Sequence, residues 1–559
     1  MHFVSFRETD EWTHRVNIGA YGGPNISRHY NDKPAGPAGP SFPCFAPTPT
    51  MSDSFVDFGT LRSRPSSGVA WSPWGAAPFE RAARERKPVL LAIGASWCHG
   101  CEVMDRTTYS VPEIVRTIND RCVPVRVDAD RRPDINDRYN LDGWPTTAFL
   151  TASGEILSGS TYVVPDQMVR MLAEVCDGLT AGYDELMVRA EAAARARRAA
   201  QSSARYEPDP SAPDWLIEQI VAQQDYEFGG FGADGKFLNA SPLRLALARA
   251  EITRDERLEA FLTRTFDAMA WGGIFDELDG GFFRYAAARE WSRPHTEKML
   301  EDQAAMVGLL IDASIVFERA SWRERARDVM RYVQRTLADT SRGGFYASQR
   351  ADEDYYAVNA SIRETLDPPV VDRTLFTDLN AQAAVTWLRA GEVLEDIEAG
   401  RFAVQSLERV LLATYRPGEG VAHHHDASGE VRGLLSDQVH AAWALLHVHD
   451  ASGDETYLML AEELARTALR THWDARGGGF LDHAPGGPDD IGWLRDPVKP
   501  LALNCLAARV LARVATLTGR EELQARALET LASQTAVYRS LGIAGAPYGI
   551  AIMDVVAAP

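Results

Sequence analysis

Residues 88–110 read PVLLAIGASWCHGCEVMDRTTYS. The run from Pro88 to Ala95 is continuously apolar and has the length of a strand buried on both faces. Trp97-Cys98-His99-Gly100-Cys101 follows at once and opens a stretch that reads as helical to Asn119. In disulfide exchange the thiolate is the nucleophile, so a redox cysteine needs a lowered pKa. The N–H groups at a helix start supply that, and His99 between the thiols adds a second candidate group. Two intervening residues let Cys101 fold back and resolve a mixed disulfide on Cys98. A zinc site needs about four ligands, and no second CxxC follows. Covalent haem needs a His after the second cysteine, where Glu102 stands. A buried structural pair stays open as the alternative.

Outward from this stretch, residues 71–176 alternate helices and strands. Phe79–Arg86 reads as a helix, and Cys122–Val127 as a second strand. Thr146–Leu150 and Glu155–Gly159 flank a turn at Ser153-Gly154, and Pro165–Cys176 closes with a helix. That is an α/β layer fold over residues 51–180. Residues 1–50 are rich in Gly, Pro and Asn without helical or alternating period. They read as disordered, or as a mis-called gene start with Met51 opening the chain. Residues 181–213 run from an Ala/Arg-rich helical stretch into Pro208, Pro210 and Pro213, and read as a linker.

Residues 214–559 are helical and repetitive. Gly-aromatic turns recur as GGF at 229–231, GGFF at 280–283, GGF at 343–345, EGV at 419–421, GGGF at 477–480 and APYG at 546–549. Amphipathic pairs lie between them, such as Met299–Phe317 with Trp322–Leu337, and Asp437–Val448 with Thr456–Arg470. One helical hairpin cannot bury its own apolar face, so the units must stack. Six hairpins closed in a ring give an all-α (α/α)6 toroid, with an open solenoid as the alternative.

The whole chain of 559 residues is long enough for two or three domains. Lys plus Arg is 58 against 78 for Asp plus Glu, a net charge of −20. That balance excludes phosphate-driven nucleic-acid binding and docking on anionic lipid. No run of eighteen apolar residues occurs, so no membrane span is expected, and no secretory signal pattern opens the chain. The six cysteines are widely spaced, unlike a disulfide scaffold, and a reducing, cytoplasmic home is expected. Cys122, Cys176 and Cys505 read as small core residues.

The segments ASWCHGCEVMDRTTYS (95–110), VDADRRPDINDRY (127–139), LDGWPTTAFLTASGEIL (141–157) and GSTYVVP (159–165) resemble the spermatogenesis-associated protein 20 / YyaL-like family of thioredoxin-domain proteins. The resemblance implies a thioredoxin-like fold in which Pro145, 44 residues after Cys101, is cis and faces the cysteine pair, with Trp97, His99 and Trp144 beside it. Gly100 stands where the family usually has Trp, which implies a more exposed pair. Glu102 replaces the usual His, and a carboxylate there would raise the thiol pKa values.

The helical region is similar to the same family at WGGIFDELDGGFFRYAAAREWSRPHTEKMLEDQAAM (271–306), GGFYASQRADED (343–354) and FGGFGADGKF (228–237). The implied fold is the six-hairpin toroid of N-acylglucosamine 2-epimerases and several glycosidases. On that reading Asp276, Glu277, Arg284, His295 and Glu297 converge on one cavity ringed by Trp271, Phe282, Tyr285 and Trp291. His295 and Glu297 are the candidate acid/base groups, and the aromatics would stack on a sugar or polyol. The alternative gives His295 a packing role and the Glu297–Glu301 and Lys298–Asp302 spacings to a solvated helix face. His423-His424-His425 could hold a metal, but consecutive residues rarely converge; neither metal nor cofactor is expected. Phe283, Arg350 and FTDLNA (376–381) depart from the family pattern and imply a diverged or vestigial barrel site.

Three functions compete. One is a thiol–disulfide oxidoreductase acting on protein thiols; another is a sugar-modifying or sugar-binding toroid; the third is a scaffold with neither activity.

Overall fold

The computed structural model describes residues 68–199, 206–427 and 429–556. The 1–50 segment and Met51 lie outside them.

The apolar run forms β1 (Val89–Gly94), buried along its whole length. It sits inside a four-stranded sheet of order β2-β1-β3-β4, with β2 at Val123–Asp128, β3 at Thr146–Leu150 and β4 at Ile156–Ser160. β2 pairs parallel with β1, Val89 opposite Val123, while β3 pairs antiparallel, Val89 opposite Leu150. Val89, Leu91 and Ile93 face a core with Phe79 of α1 (Ala76–Glu85) and Tyr139. Leu90 and Ala92 face the other core, with Met104 and Ile118. Both faces are covered, which is why β1 reads as a continuous rather than alternating apolar run.

The single helix expected from Cys98 to Asn119 is two, α2 (His99–Thr107) and α3 (Pro112–Arg121). Pro112 accounts for the break: it disfavours helix at Val111 and starts α3 as an N-terminal proline. A further short helix, α4 (Pro133–Tyr139), also begins on a proline. The closing helix α5 runs from Pro165 to Ala199 with a kink at Gly182, through the expected boundary and into the expected linker. Arg197 near its end is clamped to Glu155 at 3.0 Å and to Asp496 at 2.9 Å.

The remaining helices are α6 (Ala212–Gln223), α7 (Ala240–Thr253), α8 (Glu256–Trp271), α9 (Leu300–Val316), α10 (Ala320–Thr336), α11 (Glu353–Ala357), α12 (Ala360–Arg363), α13 (Thr377–Val393), α14 (Ile397–Thr414), α15 (Leu435–Ser452), α16 (Glu455–Thr471), α17 (Leu501–Thr518), α18 (Glu521–Gln534) and α19 (Ala546–Val555). α7, α9, α13, α15, α17 and α19 pack each on the next, and α19 returns to α7. α8, α10, α14, α16, α18 and α6 lie outside this ring, each on its own hairpin partner. The (α/α)6 toroid is therefore closed, and the open solenoid is excluded. Inner helices such as α9 are buried on nearly every side, while outer ones such as α10 bury one stripe, Trp322, Ala326, Val329 and Val333. α17 is long and apolar enough to cross a membrane by length and composition, but it is an inner helix of the ring.

Four of the Gly-aromatic turns share one construction. Asp225, Asp276, Asp339 and Asp474 each begin an Asp-x-x-x-Gly-Gly-Phe segment. In each, the second glycine's carbonyl accepts from the Asp N–H, and the first glycine's N–H donates to the Asp carbonyl. A cation closes the carboxylate: Lys236 at 2.7 Å, Lys298 at 2.7 Å, Arg409 at 2.9 Å and Lys499 at 2.6 Å. In three of them an amide on the next inner helix receives the Phe N–H, namely Gln303, Asn380 and Asn504. Both glycines have positive φ, and at Gly281 a Cβ would lie 2.6 Å from the Tyr332 ring. APYG does not form such a turn; it opens α19.

Candidate functional site

Cys98 is the N-cap of α2, and Cys101 is one turn inside it. The two are disulfide-bonded, with Cα atoms 5.4 Å apart. The Cys101 backbone N–H donates to Cys98 Sγ at 3.1 Å. The Trp144-Pro145 bond is cis, as expected, and Pro145 Cδ lies 3.3 Å from where a Gly100 Cβ would stand. A side chain at position 100 would therefore press on Pro145. Trp97 is buried and donates from Nε1 to Asp130 at 2.8 Å; Trp144, half-buried, donates to Asn136 at 3.0 Å. His99 is exposed.

The cysteine pair itself is not exposed: Cys98 is 4% and Cys101 3% accessible. Gly100 does not uncover it, because the toroid lies against it. Met299 of the toroid shares one core with both cysteines and Trp97, as do Ile491 and Leu494. Arg284 places its guanidinium 4.4 Å over the Trp97 ring and 5.0 Å over Trp144. Ser96 donates to Asp372 at 2.6 Å. Glu102 is paired with Arg106 and with Arg350 of the toroid, so its charge beside the thiols is neutralised rather than free to raise their pKa values. Arg350 thus joins the toroid to the residue next to Cys101.

A group of carboxyls lines this contact. Asp130 is pushed well up by burial and by the nearby Asp128, Asp372 and Glu301 charges. Asp302 is raised by burial and by Glu301. Farther along, His423 links the domains. Its Nδ1 meets Asp437 at 2.9 Å and its Nε2 donates to the Asp130 carbonyl at 2.8 Å. Burial alone would lower its pKa, but Asp437 and Asp378 raise it to about 10. Asp378, His423 and Asp437 lie close enough to suggest a metal centre, with ligand atoms within 4.8 Å of one another. Both His423 nitrogens are already engaged, which fits an imidazolium clamp better. His424 is buried and held down at about 3 by desolvation and by Arg131, and His425 is exposed.

The residues expected to line the toroid cavity do not gather there. Asp276 is spent on its turn, bonded to Lys298 at 2.7 Å and to Arg363 at 2.9 Å. Glu277 is exposed and paired with Arg325, whose guanidinium also covers Trp271. Phe282 and Trp291 are core residues, and Trp291 donates to the Phe228 carbonyl at 2.9 Å. His295 is exposed, stacked 4.1 Å from Tyr285, which stacks in turn 4.8 Å from Phe237. Glu297 is buried with Oε2 unbonded, and its carbonyl receives the Arg284 N–H. Of the set, Arg284 reaches the redox pair's tryptophans. The recurring Asp-to-Gly-Gly-Phe spacing was the signal that these carboxylates serve turns.

The axial cavity is lined instead by five inner helices, and it holds about 70 Å³ of water-accessible space, room for a few waters. Its charged and aromatic lining is Arg244, Glu301, Asp312, Arg389, His440 and the Trp443 indole, with Ser241, Gln382 and Thr386 beside them. These residues are scattered over α7, α9, α13 and α15, far apart in the chain, so the sequence pattern does not mark them as a group.

Residues 58–200 match the thioredoxin-like DsbH family described as a protein of unknown function, DUF255. Spermatogenesis-associated protein 20 of Mus musculus is 32% identical over 307 residues, 51% of this chain and 39% of that protein. This chain therefore spans about two fifths of that relative. Thioredoxin-1 of Drosophila melanogaster is 28% identical over 76 residues, 14% of this chain and 68% of that protein. The structure of a cellobiose 2-epimerase from Bacillus thermoamylovorans is similar at a TM-score of 0.47 and 11% identity, covering 59% of this chain and 87% of that one.

Proposed function

Residues 58–200 are a thioredoxin-like domain of the DUF255 family, and from that premise we propose that the chain carries out thiol–disulfide exchange through Cys98 and Cys101. The observation that carries this reading is the position of Cys98 Sγ, capping α2 and accepting the Cys101 N–H at 3.1 Å. In the reduced pair the same N–H and the helix dipole favour a thiolate on Cys98. Cys98 is thus the nucleophile by virtue of its cap position, not by greater exposure. Its thiolate attacks a substrate disulfide, and one substrate sulfur leaves as a thiolate. Cys101, deprotonated, then attacks Cys98 Sγ, the second substrate thiolate leaves, and the intramolecular disulfide remains.

Protein thiols and disulfides are the proposed partners, and a reducing cytoplasmic compartment the proposed home. On this reading the toroid is the wall of the redox site, with Met299 in the cysteines' core and Arg284 over Trp97 and Trp144, and a partner enters as that wall moves aside. Equilibration with glutathione buffers, read by acid-quenched alkylation, tests the activity. Loss of two thiols together at Cys98 and Cys101 supports it; a pair inert to glutathione in the folded protein refutes it.

A second reading is favoured by the axial cavity, whose two guanidiniums, two carboxyls, His440 and Trp443 suit a small polar ligand. Calorimetric titration with glycerol, a polyol of a size that suits this cavity, tests this one. Heat that disappears in His440→Gln supports it, and no heat in the wild type removes it.

A further inference from the structure

Cys122 and Cys176 lie 54 positions apart in sequence, yet their sulfurs are 3.7 Å apart. Cys122 caps the end of α3 just before β2, and Cys176 sits in α5. Both belong to the core on one face of the sheet, whereas Cys98 and Cys101 belong to the core on the other face. We propose that Cys122 and Cys176 form a second dithiol–disulfide pair, closed by hydrogen peroxide and separate from the Cys98–Cys101 pair.

A disulfide needs the sulfurs about 1.7 Å closer than they stand as thiols. The two thiols are unequal. Cys176 is held below the usual thiol range by its bond from Cys122, with burial opposing and the Arg121 charge assisting. Cys122 is raised by the same bond and by burial. Cys176, 3% accessible and beside the Arg121 charge where Cys122 is fully buried, is the attacking sulfur and Cys122 the resolving one. The Cys176 thiolate attacks one peroxide oxygen and the O–O bond breaks; the departing hydroxide takes up a proton and leaves as water, and a sulfenic acid remains. Cys122 gives up its proton and attacks that sulfur, the S–O bond breaks, and the oxygen leaves as a second water. Two thiols and one peroxide become one disulfide and two waters, with two electrons passing from sulfur to oxygen. Cys505 offers an internal contrast: it is buried among apolar side chains and its pKa is raised by burial.

The bond would tie β2 to α5, the helix whose Arg197 holds Glu155 and Asp496. The staple thus fixes the element that joins the redox domain to the toroid. The test is peptide mapping of the reduced full chain after stoichiometric peroxide, acid quench and alkylation in denaturant. The expected result is a Cys122–Cys176 linked peptide, Cys505 still alkylated, and a melting temperature several degrees above that of the reduced protein. The linked peptide should persist in a Cys98→Ser, Cys101→Ser chain, and Cys122→Ala should leave a dimedone-reactive sulfenic acid on Cys176. Free thiols at Cys122 and Cys176 under peroxide that fully closes Cys98–Cys101 would overturn the proposal. So would linkage of either cysteine to Cys98 or Cys101.

Discussion

Arg284 of the toroid lies 4.4 Å above the ring of Trp97, the residue immediately before Cys98. One side chain thus joins the wall of the (α/α)6 ring to the redox motif, and it covers Trp144 beside the cis proline as well. A half-buried cation–π contact of this kind is worth about 1–2 kcal/mol. Its loss should shift the balance toward an open site. Arg284→Ala is therefore expected to speed maleimide labelling of Cys98 in the reduced protein roughly five- to thirtyfold. Labelling at the wild-type rate would mean that Arg284 does not close the site.

Asp276 and its neighbour Glu277 look alike in sequence and should behave oppositely. Asp276 holds two buried cations, Lys298 and Arg363, and removing its charge leaves both uncompensated. Asp276→Asn should cost about 3–5 kcal/mol of unfolding free energy. Glu277 is 59% exposed in its pair with Arg325, and Glu277→Gln should stay within about 0.5 kcal/mol of wild type. Denaturant unfolding of both variants measures this, and an Asp276→Asn protein as stable as wild type would return Asp276 to the list of ligand-binding candidates.

His423 gives the interface a pH dependence. Its folded pKa, about 10, stands above the unfolded value of about 6.5. Its stabilising contribution is complete below the unfolded value and is lost as pH rises from about 6.5 through 10. Lys298, lowered by burial to about 8, titrates over part of the same range, so the informative quantity is wild type minus His423→Gln. Asp437, raised by burial to about 6, must also be ionised, so that difference should be roughly 3 kcal/mol near pH 7 and should shrink toward pH 10. A difference that stays constant with pH would exclude an imidazolium clamp.

The redox half was largely legible because its signals are local. An apolar run, a helix start and a CxxC occupy one short stretch, and Pro145 needed only a spacing. Pro112, which splits one expected helix into two, is an equally local signal. The ring itself could be counted from its turns. What the sequence hid was where the two halves meet. Arg284, Met299, Arg350 and Asp372 are far from Cys98 in the chain, and nothing in their own segments marks them as its neighbours. The same distance concealed Cys122 and Cys176 as a pair. The acidic residues beside the Gly-Gly-Phe turns misled for a different reason. A carboxylate that completes a turn and one that faces a ligand occupy the same kind of sequence position, and only the partner cation, Lys298 for Asp276, separates them.

If Cys98 attacks and Cys101 resolves, reduced Cys101→Ser full-length protein incubated with a disulfide-bonded protein substrate should accumulate a trapped intermediate. Product mapping is expected to show a stable mixed disulfide on Cys98, absent from Cys98→Ser and released by dithiol reductant. A Cys101→Ser protein whose Cys98 remains a free thiol, while a Cys98→Ser protein traps substrate on Cys101, would contradict it.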